Sequence, residues 1–328
     1  MTPSDIFPPG ARIAVLTTEP VGVLDYLAPE GGVARGALVL CPLGPRRVMG
    51  CVWGPGLGGF DAAKLRPVAR VLDAPPFTPA FLDFLTRAAD YTLTPPPLML
   101  RMALRAPGLD QPPAARRVIV PAGDPPARMT EARARVMQVI ADHAGAPMAV
   151  GELARLAGVG AGVVRGLVTA GTLTELAAPR DLPFPLLDPS LPGKPLAPDQ
   201  AAAADALRAA VRSGAYGTTL LRGVTGSGKT EVYLEAVAET LRAGRQALIL
   251  LPEIALSAEF LDRVEARFGA RPGEWHSGIT LSERRRLWHM AATGQVQMVV
   301  GARSSLFLPF RDLGLIVVDE EHDSSYKQ

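Results

Sequence analysis

One octapeptide limits the possible folds more than anything else in the chain. Gly223 to Thr230 reads GVTGSGKT and fits G-x-x-x-x-G-K-[ST]. It lies between a run with strand character, TTLLRG, and a helical run beginning at Lys229, which is the context such a loop requires. Gly223, Gly226 and Gly228 let backbone N–H groups converge on phosphate oxygens, and Val224, Thr225 and Ser227 complete the cradle. The helix N-terminus that follows adds partial positive charge. Lys229 is expected on the β/γ phosphates and the Thr230 hydroxyl on Mg²⁺. Only four of the 34 basic residues are lysines (64, 194, 229 and 327), so a chain that otherwise uses arginine places a compact ammonium here.

A second segment completes the argument. LIVVDEEH is a buried-strand pattern ending in Asp319, which would bring a carboxylate to the Mg²⁺ side of the loop at the carboxyl edge of a sheet. Glu320, one residue on, would polarise an attacking water. Together the two segments imply nucleoside triphosphate hydrolysis. From 198 to 328 helical and strand runs alternate: helices at 199–212, 229–241, 257–268 and 281–293, with strands TTLLRG, ALILLP, QMVVG and LGLIVVD. That alternation predicts an α/β lobe with a parallel sheet covered on both faces.

The residues before it divide into regions. Residues 1–106 carry short strand-like runs broken by Gly/Pro turns, then a helix with Thr78 as N-cap and Pro79 at N1, and a short helix near 98–104. They predict a small β-barrel or open sheet with helices. Residues 107–129 read as a linker. Residues 130–176 carry a helix-turn-helix or winged-helix pattern, turning at 158–160 and stopping at Gly171. Its second helix offers Arg165 as its one cation, which leaves protein docking and DNA-backbone contact both open. A Pro-rich linker, 177–197, precedes the lobe.

Composition excludes several classes. With 48% hydrophobic and 20% charged residues among 328, the chain is not wholly disordered. Cys41 and Cys51 cannot build a four-cysteine zinc site or a disulfide framework. A net charge of +2 is not the footprint of a non-specific nucleic-acid binder, so any DNA contact rests on a few placed groups. No apolar run approaches a membrane span, and the start lacks a basic stretch leading into an apolar one, so a cytoplasmic location is expected.

DEEH, together with LLPEIALS (250–257), WHSG (275–278) and GARSSLF (301–307), resembles the superfamily 2 helicases. Within them the chain is similar to the primosomal protein N-prime family of bacterial 3′-to-5′ replication-restart helicases, with LDYLAPEG, CPLG and AADY matching that family's DNA-binding domain. The resemblance implies a RecA-like lobe preceded by a 3′-end DNA-binding domain and a winged helix. It implies adenine recognition by Gln200, phosphate and Mg²⁺ contacts by Lys229, Thr230 and Asp319, a general base in Glu320, and coupling to DNA through His322. Arg303, Ser304 and Ser305 would lie near the single strand, and Asp25, Gly44 and Arg66 would hold a DNA 3′ end. Two positions depart from the family pattern: Leu24 replaces an aromatic and Arg66 a lysine. The implied cofactors are ATP and Mg²⁺, with zinc only in the family's C-terminal part. The implied partners are DNA forks, D-loops, 3′ ends and single strands, other primosome proteins and single-strand-binding protein, with no membrane. The family continues past SSYKQ with a second lobe carrying an arginine finger, so these 328 residues read as a truncated portion. An AAA-type ATPase or a P-loop kinase fits DEEH and GARSSLF poorly. A DNA-binding docking module with a vestigial nucleotide site stays open.

Overall fold

A computed structural model describes residues 6–59, 61–110, 115–126, 128–143, 145–178, 181–224, 226–252 and 257–323. The chain forms two compact units, one of Met1–Gln111 with Pro183–Gln328 and one of Pro112–Leu182.

The first unit opens with β1 (Ile6–Phe7), β2 (Arg12–Thr17), β3 (Val23–Leu27), β4 (Val33–Ala34), β5 (Leu38–Leu43), β6 (Arg46–Pro55) and β7 (Arg70–Val71). Strands in the order β3-β2-β6-β5-β7 make an antiparallel sheet. The chain leading into β7 closes it. Leu27 N–H donates to the Arg66 carbonyl (3.0 Å) and Val68 N–H to that of Leu27 (3.1 Å), while Ala69 N–H donates to Leu40 on the far strand (2.8 Å). The result is a small barrel. Alternation along the strands fills it: Ile13, Val15, Val39, Cys41 and Val52 point in, whereas Leu16, Leu38 and Cys51 face outward onto helices. The Tyr26 hydroxyl donates to the Pro42 carbonyl across the barrel (3.0 Å). Burial, with Cys41 beside it, pushes the phenol up to about 12, and burial likewise pushes the Cys41 thiol up to about 12.

Helices α1 (Pro79–Thr92) and α2 (Pro96–Ala103) follow. Thr78 caps α1 by accepting from Phe81 N–H at 3.2 Å, with Pro79 in the first turn where its missing N–H costs nothing. Their apolar faces continue into the core of the α/β lobe: Phe77 lies 6.3 Å from Trp288, and Phe84 5.6 Å from Phe307.

The second unit comprises β8 (Arg116–Pro121), α3 (Glu131–Asp142), α4 (Val150–Leu156), α5 (Ala161–Thr169) and β9 (Leu173–Ala178). Its core gathers Ile119, Val136, Leu153, Val164, Leu167 and Leu173. β8 pairs antiparallel with β9, so the stretch read as a linker at 107–129 contains a ladder strand. Its apolar Val118-Ile119-Val120 is too short to signal a strand before its partner is known.

The lobe is built from α6 (Pro198–Ser213), α7 (Lys229–Arg242), β10 (Gln246–Leu250), α8 (Ala258–Phe268), β11 (Gly273–Trp275), α9 (Leu281–Thr293), β12 (Met298–Gly301) and β13 (Leu313–Val318). A parallel sheet, β11-β12-β10-β13, carries helices on both faces. Along β10, Leu248 and Leu250 face the core shared with α1 and α2, while Ala247 and Ile249 face α7 and α8. The expected strand TTLLRG is not one. Residues 217–224 are irregular, Leu220 is 70% exposed, and β13 ends the sheet. A strand needs neighbours to pack on, and Leu220 has no cover. Part of the stretch read as a Pro-rich linker packs on the lobe: Leu187 is buried and its N–H donates to Gln297 Oε1 at 2.7 Å. No helix among the described residues is long and apolar enough to cross a membrane.

Candidate functional site

α7 begins at Lys229 because Gly228 turns the chain at φ +77°, and a Cβ there would stand 2.5 Å from Gln200 Nε2. Gln200, in the first turn of α6, touches the loop itself. Its Nε2 donates to the Ser227 carbonyl (2.8 Å), and its Oε1 accepts from Ala197 N–H (2.8 Å). Lys229 Nζ donates to the carbonyls of Gly223 (2.9 Å) and Val224 (3.3 Å), so the ammonium rests on the loop's own backbone.

The end of β13 meets this loop at the carboxyl edge of the sheet. Asp319 N–H donates to Leu250, and the Asp319 carboxylate is held at both oxygens. Oδ1 accepts from Glu320 N–H (2.9 Å) and Oδ2 from the Tyr233 hydroxyl (2.8 Å). Burial, then the Asp319 charge, raise the Tyr233 phenol well above the ordinary range. Glu320 adopts a left-handed backbone, φ +50°, a strained state for a non-glycine residue and one found most often at functional sites. Its Oε2 lies 3.4 Å from His322 Nε2.

One cleft is lined by Gly226, Ser227, Gly228, Lys229, Thr230, Arg263, Asp319 and Glu320. The structure thus brings together the loop, the lysine, one hydroxyl and the acidic pair that the sequence separates by some 90 positions. Val224 sits exposed on the rim, and Thr225 lies outside the described residues, as do residues 253–256 and 324–328 of the neighbouring motifs. A hydroxyl and a carboxylate are hard oxygen donors, the set that Mg²⁺ accepts while keeping phosphate oxygens and water. The residues present fit that ion. Tyr233 and Arg263 are the two cleft neighbours the sequence reading omits. Tyr233 was detectable, since i+3 from Thr230 puts both on one helix face. Arg263 had no such signal.

The residues expected near DNA divide differently. Arg303, in a short 3₁₀ turn at Arg303–Phe307, is exposed. Ser305 is fully buried and its hydroxyl donates to Ala302, while the Ser304 hydroxyl accepts from Trp275 Nε1 (3.1 Å). The Ser305 hydroxyl is thus turned inward, away from any phosphate at the surface. In the barrel, Asp25 stands mid-strand in β3 rather than at its end, paired with Ala14. Its oxygens accept from Leu57 N–H (2.8 Å) and Gly58 N–H (3.0 Å), Arg12 lies 3.7 Å away, and the side chain is 5% exposed. Gly44 turns the two-residue β5–β6 connection at φ +59°, and exposed Arg66 gives its carbonyl to Leu27, two residues from Asp25. In the run Arg284–Arg286 of α9 the first and last guanidinium groups stack on aromatic rings. Arg284 lies over Trp275 (4.7 Å) and Arg286 over Phe184 (4.1 Å).

Comparison with known proteins agrees with this geometry. A family model described as DEAD/DEAH box helicase matches residues 197–328, and one described as 3′ DNA-binding domain (3′BD) matches 13–105. The replication restart protein PriA of Chlamydia pneumoniae is 32% identical over 93% of the chain and 43% of its own length. That of Bacillus subtilis is 36% identical over 58% of the chain and 24% of its length, and that of Rickettsia felis 53% over 34% and 17%. The chain therefore spans less than half the length of these relatives. With one model on the barrel, a second on the lobe and a relative aligned across nearly all of it, the chain belongs to the PriA replication restart family, whose N-terminal portion it covers.

Proposed function

We propose that the chain carries the DNA-end-binding and nucleotide-binding parts of an ATP-dependent 3′-to-5′ helicase that recognises stalled or branched forks and directs primosome assembly. The observation that carries this reading is the cleft in which Lys229, Thr230, Asp319 and Glu320 converge. In it Lys229 leaves the loop carbonyls for the β/γ phosphates, Gln200 presents its amide beside the loop to the adenine, and Thr230 with Asp319 holds Mg²⁺. The ion, when bound, neutralises charge developing on the phosphates. Glu320 takes the proton of the attacking water, and His322 beside it senses phosphate state. Asp25, Gly44 and Arg66 on the barrel receive a DNA 3′ end, and Arg303 meets the single strand. The second unit is read as a winged helix with β8 and β9 as its wing. Primosome proteins and single-strand-binding protein are its partners, in the cytoplasm at the nucleoid.

Lys229→Ala removes hydrogen bonds to charged oxygens worth about 1.5–3 kcal/mol, so nucleotide affinity should fall roughly 10- to 150-fold by fluorescence titration. Unchanged affinity would refute the reading. A second reading, a DNA-docking module whose nucleotide site does not turn over, is favoured by segment 217–224 before the loop, which joins no strand of the sheet. DNA-stimulated ATP hydrolysis separates the two.

A further inference from the structure

An ionised carboxylate only accepts hydrogen bonds, so the Tyr233 hydroxyl must donate to Asp319 Oδ2, at 2.8 Å. Tyr233 stands one helical turn after Thr230 on the same face of α7, so the residue that braces the carboxylate is fixed to the helix that carries Thr230 into the cleft. Asp319, held by Tyr233 on one oxygen and by the backbone of Glu320 on the other, cannot swing. Tyr233 is 5% exposed, and its ring packs between α7 and the sheet with Leu234 and Val237, so the hydroxyl is carried on a fixed stem.

We propose that Tyr233 is a positioning residue of the phosphate cleft, one that fixes the orientation of the Asp319 carboxylate that faces the cation. This rests on the reading of the cleft as a Mg²⁺–nucleotide site. Outer partners of metal ligands cost about 10- to 100-fold in metal affinity when removed.

The test is Tyr233→Phe, which deletes one oxygen and keeps the ring. Binding of a fluorescent non-hydrolysable ATP analogue is titrated with Mg²⁺ and, separately, in EDTA. The Mg²⁺ concentration for half-maximal binding should rise about 10- to 100-fold while the EDTA affinity stays within about twofold. In an Asp319→Asn background the same change should add less than about threefold, because the ligand it orients is already altered. An unchanged Mg²⁺ requirement, or an equal loss with and without Mg²⁺, overturns the positioning role and leaves the cleft reading intact. If the parent chain binds no nucleotide in Mg²⁺, the cleft reading falls and the positioning role with it.

Discussion

Trp288 is where the barrel-and-helix segment and the α/β lobe are joined. It sits on α9 with 1% of its surface exposed, and its indole N–H donates to the Ala103 carbonyl at the end of α2 (2.7 Å). That carbonyl is one of the orphan acceptors every helix C-terminus leaves, here buried where water cannot replace the donor. Trp288→Phe keeps an aromatic ring beside Phe77 but removes the donor and part of the volume. An unsatisfied buried acceptor costs about 1–3 kcal/mol and the partly filled cavity about 1 more, so the loss should be about 2–4 kcal/mol. With a urea slope of about 3 kcal/mol/M, the midpoint falls by roughly 0.7–1.3 M. Far-UV circular dichroism and the fluorescence of the remaining Trp53 and Trp275 should shift together, since one core runs through both parts. A midpoint within about 0.2 M of the parent would mean that the bond contributes little, and the joint would have to rest on apolar contact alone.

Glu235→Ala leaves the Arg267 guanidinium, 4% exposed and bound to that carboxylate at 2.9 Å, without its counter-charge, and should cost about 3–5 kcal/mol by urea unfolding; a loss below 1 would refute it. Arg303→Ala should weaken single-strand binding measured by fluorescence anisotropy, whereas Ser305→Ala should lower the melting temperature and leave that affinity unchanged, because its hydroxyl is spent on Ala302. The folded barrel keeps the protons of Cys41 and Tyr26 to about pH 12, against ordinary values of 9.0 and 10.0. Their contribution is therefore complete below about pH 9 and is lost as pH rises toward 12, so the urea midpoint should fall over that window and Cys41→Ala should flatten the fall.

The sequence signals that succeeded were those in which one residue does a local, nameable job. Thr78 with Pro79 marks the start of α1, and the structure shows that cap in place. The phosphate loop was legible for the same reason, since glycines at special backbone angles leave a fixed spacing. What stayed hidden depends on partners far along the chain. β8 becomes a strand only through β9, and TTLLRG, with a good strand pattern, is none because nothing packs on Leu220. Arg284 and Arg286 look solvated until Trp275 and Phe184 come beneath them. Tyr233 lies within the motif's reach, yet its role needs Asp319, 86 positions away.

Asp25 shows how a structural job and a proposed binding job can share one side chain. A carboxylate repels phosphate, so on a barrel proposed to receive a DNA end it calls for a reason, and a 3′ hydroxyl is a donor that would supply one. The structure adds another, because Asp25 already seats the loop after β6 through Leu57 and Gly58 N–H. Each oxygen has a second lone pair, so a 3′ hydroxyl that reaches this 5%-exposed carboxylate can share it with the loop. The two jobs separate by substitution. Asp25→Ala removes both. Gly58→Ala strains the loop, since Gly58 sits at φ +83°, and leaves the carboxylate in place. Forks ending in a 3′ hydroxyl or a 3′ phosphate are compared by anisotropy. The parent should prefer the hydroxyl by roughly 10-fold or more, the scale of one hydrogen bond to a charged group, and Gly58→Ala should keep that preference while Asp25→Ala loses it. Loss in both variants would assign recognition to the loop instead. Equal affinity of the parent for both ends would leave Asp25 with the loop as its only task.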